Sequence, residues 1–416
     1  MFRRWCRYAD KVFDFSAQVA SLRDSRPRPQ ISTAAIWLSV FFLFVFRRGS
    51  LHAMENEFRT GRFWSKLLGP RLPSADTLGR VFARMELDSL RRCLLAWVQR
   101  LKRNKALEEG RIGGRIVAAV DGHELFASES RCCEGCCTRE ISSGNRTQWY
   151  HRIVAVTITG ARPHPVVDLE PQRPGEGEPS CALRLLARLH ASSPRLVDIF
   201  SFDALYATST VLNTLRAQGQ HAVILLKNNQ PSLLRDAQGL FAFQPPSLSY
   251  TANAVRVHLW DAEGFTSLEG CHCPLRVVRC IETRTLRQRI AGQWTEKTEQ
   301  TEWYWVTTLP QSEMSGPDIR RIGHARWQIE NRGFNDLSTH WALDHCFKHH
   351  PQAIVAFLLT LAMAHLLMSS FFHFNLKECR RRTLTTLALA RTLYHDLLLY
   401  LPSHPTRLLI VPPAPP

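Results

Sequence analysis

The sequence predicts an α/β protein with a mixed sheet, helices on its faces, a β-rich insertion and a helical region ahead of both. Three observations carry this. Residues 1–110 show helical spacing of apolar side chains, β-branched segments and helices alternate from about residue 111, and residues 246–310 return to strand-like segments.

Length and charge set the frame. A chain of 416 residues can bury a sizeable core, and its length favours two or three structural units. Its 53 Lys and Arg against 36 Asp and Glu give a net charge of +17, while 45% hydrophobic content excludes wholesale disorder. A folded, strongly basic chain points to a polyanionic partner, most commonly nucleic acid. The first residues, "MFRRWCRYADKVFDF", lack the apolar run and cleavage site of a secretory signal, so the expected location is a reducing cytoplasm with free thiols. Two apolar runs invite a membrane reading. Ala34–Phe46 is too short to span, and Ala353–Phe372 carries His365, so both are expected to be buried helices and no membrane partner is expected.

In the helical region, "LPSADTLGRVFARM" offers Ser74 as an N-cap, with Leu78, Val81, Phe82 and Met85 on one face. "LDSLRRCLLAWVQRLKRNK" repeats the pattern with Leu90, Leu94 and Val98 against a basic face suited to phosphate, so residues 1–110 are expected to bind DNA ends. Strands are predicted in "RIVAAVD", "HRIVAVTIT" and "PHPVVDLE", followed by a helix in "CALRLLARLHA". A strand in "RLVDIFSFD", a helix in "ATSTVLNTLRAQG" and a strand in "HAVILLKN" complete the order β, β, β, α, β, α, β. Residues 111–245 and 311–375 are read as one domain around the 246–310 insertion. Residues 376–416 are read as a C-terminal helix and a Pro-rich tail, "VPPAPP".

Three acids stand out against this order. Asp121 ends "RIVAAVD" and Asp203 ends "RLVDIFSFD", where an unpaired buried carboxylate is costly unless it meets a cation. Glu330 lies in a predicted helix, four residues after Arg326, with Trp327 and Phe334 expected to bury the opposite side. Carboxylates from two strand ends and a helix can converge on two Mg²⁺ ions, which take hard oxygen ligands and leave positions open for water and phosphate. The strand order resembles a ribonuclease H-like core. Asp168, Glu170, Glu176 and Glu178 are rival carboxylates, but their proline- and glycine-rich setting predicts a loop outside the site.

The stretches "VDGHELF", "FDALY", "LLKNN" and "RWQIENRGFNDLSTHWALDH" resemble the DDE-type insertion-sequence transposases, in particular the cut-and-paste group with a β-rich insertion between the second and third acids. The resemblance runs from about Leu72 to Phe374. It implies that Asp121, Asp203 and Glu330 bind Mg²⁺, with Mn²⁺ able to substitute, and that Arg326 contacts a DNA phosphate near the cut. Lys227 and Tyr206, within the shared motifs, are further candidate DNA contacts. It also implies double-stranded DNA with terminal inverted repeats, a target DNA and a homodimer on paired ends. Two positions depart from the pattern: Gly323 stands where the group has a tyrosine, and Leu337 where it has a lysine. A ribonuclease H-like host nuclease without strand transfer and an inactive DNA-binding relic remain open at this stage.

"SRCCEGCCTRE" contains a CxxC knuckle, Cys133 and Cys136, that can supply half of a structural Zn²⁺ site. His151, or Cys271, His272 and Cys273 in "GCHCP", are the candidate partners. Trp260, Trp294, Trp303 and Trp305 lie in the insertion, where an aromatic can stack on a flipped base, although core packing is the expectation for each.

Overall fold

A computed structural model of the chain describes residues 1–61, 63–141, 146–160, 162–290 and 293–403. The tail "VPPAPP" lies outside the described residues. Helices α1 (Phe2–Phe13), α2 (Phe15–Ala20), α3 (Thr33–Val45), α4 (Leu51–Thr60), α5 (Phe63–Leu68), α6 (Ala75–Phe82) and α7 (Leu87–Arg103) come first. Then follow β1 (Val117–Ser128), β2 (Cys137–Ile141), β3 (Arg146–Ile158), β4 (Val166–Pro171), α8 (Glu178–Ser192), β5 (Ile199–Phe202), α9 (Ser209–Ala217), β6 (His221–Leu225) and α10 (Pro231–Ala242). Strands β7 (Leu248–Ala252), β8 (Val255–Phe265), β9 (Leu275–Ile290) and β10 (Gln293–Thr307) precede α11 (Gly316–Ala325). A π-helical turn (Ile329–Phe334), α12 (Asn335–Trp341), α13 (Pro351–Ser370), α14 (Glu378–Thr383) and α15 (Thr386–Ser403) close the chain. Strands β2 and β7 and helix α10 were not foreseen from the sequence.

The strands form one ten-stranded sheet in the order β2-β3-β1-β5-β6-β10-β9-β8-β7, with β4 also paired to β3. β1 runs antiparallel to β3, and β1, β5 and β6 are mutually parallel. The path β4-β3-β1-β5-β6 is the ribonuclease H-like core. β10 then joins β6 antiparallel, with Trp305 opposite Leu225, so residues 246–310 extend the central sheet rather than forming a separate layer. Beyond Arg284, the last β9 residue paired with β8, the β9–β10 ribbon continues alone to Ile290 and Gln293.

Two apolar clusters hold the layers. One lies between the sheet and α11, built from Val117, Ile199, Val223, Val257, Trp305, Ile319 and Ile322. The larger one covers the opposite face and runs without a break into the N-terminal helices. Its axis is α13, in which every residue from Ala353 to Ser370 is buried. This helix is long and apolar enough to cross a membrane, yet it packs against α3, α6 and α7. Phe82 stacks on Phe357 at 4.3 Å. Trp37 Nε1 donates to Thr360 Oγ1 (3.0 Å), which donates to the Ala356 carbonyl (2.8 Å), tying α3 to α13. α3, the other apolar run, is likewise buried along its length.

Local signals explain the helix starts. Ser32, Ser50 and Ser74 each accept a hydrogen bond from the backbone N–H three residues on, capping α3, α4 and α6. The basic face of α7, however, turns largely to the protein itself. Arg91 pairs with Asp168 and Glu170, Arg100 with Asp14, and Lys102 with the Arg195 carbonyl.

Because α13 is wrapped by the N-terminal helices, a fragment starting at residue 111 would expose a continuous apolar face. It is expected to lose a cooperative urea transition and to aggregate. A sharp, native-like transition would show that the helical region is a separable domain.

Candidate active site

The site begins where two parallel strands part. β1 and β5 pair at Val117/Ile199, Ala118/Phe200 and Ala119/Ser201 and no further. Continuing that register by two residues brings Asp121 and Asp203 opposite one another on the same face, because strand side chains alternate with a period of two. Asp203 follows the last residue of β5, and its Oδ1 accepts from the Leu205 N–H (2.9 Å), fixing the carboxylate at the start of a short 3₁₀ turn. Asp121 does not end its strand as the sequence suggested. β1 continues to Ser128, held by β3, with Asp121 opposite Ala155.

Gly122 lies inside this continuous strand, opposite Val154. A Cβ at Gly122 would lie 2.2 Å from Glu178 Oε2, so only glycine lets the buried Glu178 pack against β1. Glu178, read as part of an outlying loop, opens α8 instead. Its carboxylate accepts from Tyr206 Oη (2.9 Å) and pairs with Arg152 (2.6 Å). Tyr206 is fully buried, which removes it as a DNA contact. Burial first, then the Glu178 carboxylate, drives its phenol well above the ordinary range. Tyr206 and Glu178 brace the floor of the site, a role that no local sequence signal separates from surface exposure.

Glu330 arrives from the far side. α11 is anchored by Glu282 on β9, whose carboxylate accepts from Arg320 Nε (2.6 Å) and meets His324 Nε2 (2.7 Å). Burial alone would raise the Glu282 pKa, but His324 and Arg320 hold it down at about 2. The chain then passes through Arg326 into the π-helical turn, and Gly160 N–H donates to Gln328 Oε1 (2.8 Å), pinning this turn to the β3–β4 connection. Arg326 Nη1 donates to both Asp121 Oδ2 (3.0 Å) and Glu330 Oε1 (2.8 Å). Arg326 is only 4% exposed, with its guanidinium 4.4 Å from the Trp327 ring centroid. Trp327 is therefore partly exposed above the arginine, whereas Phe334 is buried and stacks on His123 at 4.6 Å.

Burial is the main force on Asp121, pushing its carboxyl up to about 7. Arg326 opposes the rise, and the Glu330 and Asp203 carboxylates add to it. The cluster consists of hard oxygen donors crowded by mutual repulsion, which suits Mg²⁺ or Mn²⁺ and not a soft metal. Lys227 is exposed in the loop after β6, and Gln230 in that loop donates to the Ala207 carbonyl (2.7 Å), which sets Lys227 beside the Asp203 turn.

Other candidates fall elsewhere. Asp168 and Glu170 are buried in β4, not looped out, and are neutralised by Arg188, Arg184 and Arg91. Cys271, His272 and Cys273 lie against α9, where Asn213 accepts from the His272 N–H (3.0 Å), while Cys133 and Cys136 meet His151 instead. Trp260 and Trp305 are core residues, Trp303 stacks on Trp305, and Trp294 is 70% exposed on the free β9–β10 ribbon.

Fold and acid cluster together define a ribonuclease H-like, nucleic-acid-processing protein. The chain belongs to the DDE transposases: the family described as the transposase DDE domain matches residues 112–367, more than half of the sequence. No curated protein matches the chain.

The two departures from the group's pattern have a packing cause. A Cβ on Gly323 would lie 2.2 Å from Trp305 Nε1, and Leu337 is a core residue at 3% exposure. Gly323→Tyr is expected to destabilise the protein by about 1–3 kcal/mol or more through overpacking, read as a lower urea midpoint. An unchanged midpoint would mean that Trp305 yields freely.

Proposed function

We propose that the chain is a DNA transposase that cuts the ends of its element and joins them to target DNA by a metal-dependent, cut-and-paste route. The observation that most supports this is that the buried Arg326 joins Asp121 to Glu330 on a ribonuclease H-like sheet, with Asp203 close enough to Asp121 to act on its charge. The three carboxylates would hold Mg²⁺, with Mn²⁺ able to substitute. When bound, the metal supplies Lewis-acid stabilisation of charge building on the phosphate oxygens.

Water attacks phosphorus at the element's end, a P–O bond forms, and the bond to the 3′ oxygen breaks. This leaves a 3′ hydroxyl and a 5′ phosphate. That hydroxyl is the nucleophile for transesterification, first giving a hairpin on the cut end and later, once the hairpin is reopened, joining to target. One P–O bond forms as another breaks at each transfer, so no energy-carrying cofactor is needed. Arg326, whose planar fork suits a phosphate, would clamp one near the cut once its bonds to Asp121 and Glu330 were given up. Lys227 would add a phosphate contact, and Trp294, exposed on the β9–β10 ribbon, is the insertion aromatic assigned here to stacking on an unpaired base. The substrate is double-stranded DNA with terminal inverted repeats, acted on by a homodimer that processes both ends together on the nucleoid in the cytoplasm.

Purified protein with Mg²⁺ or Mn²⁺ should cut DNA carrying the flanking genomic ends. Asp121→Asn and Glu330→Gln should each abolish cutting while DNA binding persists. Binding without cutting by any form, wild type included, would favour the DNA-binding relic; cuts without strand transfer would favour a host nuclease.

The pKa of Asp121 gives a second test. A carboxyl raised to about 7 carries a proton at pH 6, and a metal must displace that proton to bind. Apparent Mg²⁺ affinity should fall about tenfold between pH 8 and pH 6, then depend little on pH above 8. A flat profile measured by titration calorimetry would remove Asp121 from the ligand set.

A further inference from the structure

Away from the acids, four side chains with metal-binding atoms meet at one point: Cys133 and Cys136 before β2, His151 on β3, and His349 just before α13. Their ligand atoms all lie within 4.8 Å of one another. The two sulfurs are 3.7 Å apart. His151 Nε2 is 3.3 Å from each sulfur, and His349 Nε2 is 3.3 Å from Cys136 Sγ. A tetrahedral zinc with bonds of about 2.3 Å to sulfur and about 2.0–2.1 Å to nitrogen spaces two sulfurs by about 3.8 Å and sulfur from nitrogen by about 3.5 Å. A disulfide requires about 2.0 Å between sulfurs, so the thiols are not oxidised to one another.

We infer that Cys133, Cys136, His151 and His349 form a closed, structural Zn²⁺ site. Protein atoms fill all four positions, leaving none for water or substrate, which separates this site from the oxygen-lined acid cluster. The surroundings are built to hold it. Cys136 N–H donates to the Cys133 carbonyl (3.1 Å), closing the CxxC turn. A Cβ on Gly135 would lie 3.0 Å from the Pro351 ring, so the turn is seated on the first residue of α13. Phe126 packs on both imidazoles, at 5.3 Å from His151 and 5.9 Å from His349.

The ligands come from three places in the chain, with His349 213 residues beyond Cys136. The metal would therefore clip the β1–β3 side of the sheet, which carries Asp121, to the segment joining the Glu330 turn to α13. His123 on β1 contacts Asp344 in that same segment (2.8 Å), beside the clip. Zinc would thus fix the relative placement of two acid-bearing elements without touching either acid.

The test is elemental analysis of full-length protein purified without chelator, beside Cys136→Ser, His349→Ala and Asp121→Asn, with folding checked by circular dichroism. One zinc per wild-type chain is expected. It should be lost from the first two variants and kept in Asp121→Asn, which distinguishes this site from the acid cluster. Should those variants fail to fold, Co²⁺ substitution of the wild type gives an independent readout: sulfur-to-cobalt charge-transfer absorption with the intense visible bands of a tetrahedral site. Removing zinc from the wild type should lower its thermal midpoint. Folded wild type without zinc, zinc retained after loss of either ligand, or absence of the cobalt spectrum would overturn the assignment.

Discussion

The buried guanidinium of Arg326 is the interaction on which the site depends. Asp121 is buried beside Arg326, while Glu330 and Asp203 are partly exposed and add their negative charge to its surroundings. Arg326 offsets this by donating to Asp121 and Glu330 at once. The compensation is incomplete: burial, with the Glu330 and Asp203 charges added to it, outweighs Arg326 and leaves the Asp121 carboxyl raised. On the proposed function, a divalent cation held by these carboxylates would take over the charge compensation that Arg326 supplies.

Placing that arginine takes the whole chain. Glu330 and Arg326 lie between α11, held on one face of the sheet, and α13, buried on the other. α13 is gripped by α3, α6 and α7, so the helices before residue 110 fix the segment that closes the site from below. This explains why the basic side chains of α7 are occupied within the protein. Arg91 neutralises Asp168 and Glu170 on β4, and those acids could not remain buried without it and its neighbours Arg184 and Arg188.

Much of this was legible in the sequence because its signals are local. β-branched runs marked the parallel strands, a serine marked the start of α6, and two unbroken apolar runs marked the helices at the centre of the larger core. Asp121, Asp203, Arg326 and Glu330 could be named because their motifs are contiguous. What stayed hidden depends on distant partners. Asp121 reads as a strand end, yet β1 runs on through Gly122, which lies against Glu178, 56 residues away. Tyr206 looks like a contact residue until a buried carboxylate claims its hydroxyl. Asp168 and Glu170 sit in a polar, proline-rich stretch, and only arginines from α7 and α8 make a strand possible there. Cys133 and Cys136 announced half a metal site, but His349 lies over two hundred residues away with no motif of its own.

The departures at Gly323 and Leu337 follow from the same long-range logic. In the resembling group a tyrosine occupies the first position, on the helix that carries the arginine. Here Trp305, from the last strand of the β-rich segment, fills that space and stacks on Trp303, and both rings meet His324 edge-on. His324 in turn binds Glu282 on β9. The helix is thus docked onto β9 and β10 by two indoles, an imidazole and a buried carboxylate, two residues before Arg326. These contacts fall where β9 and β10 are paired with β8 and β6, so the helix leading to Arg326 is tied to the sheet extension itself.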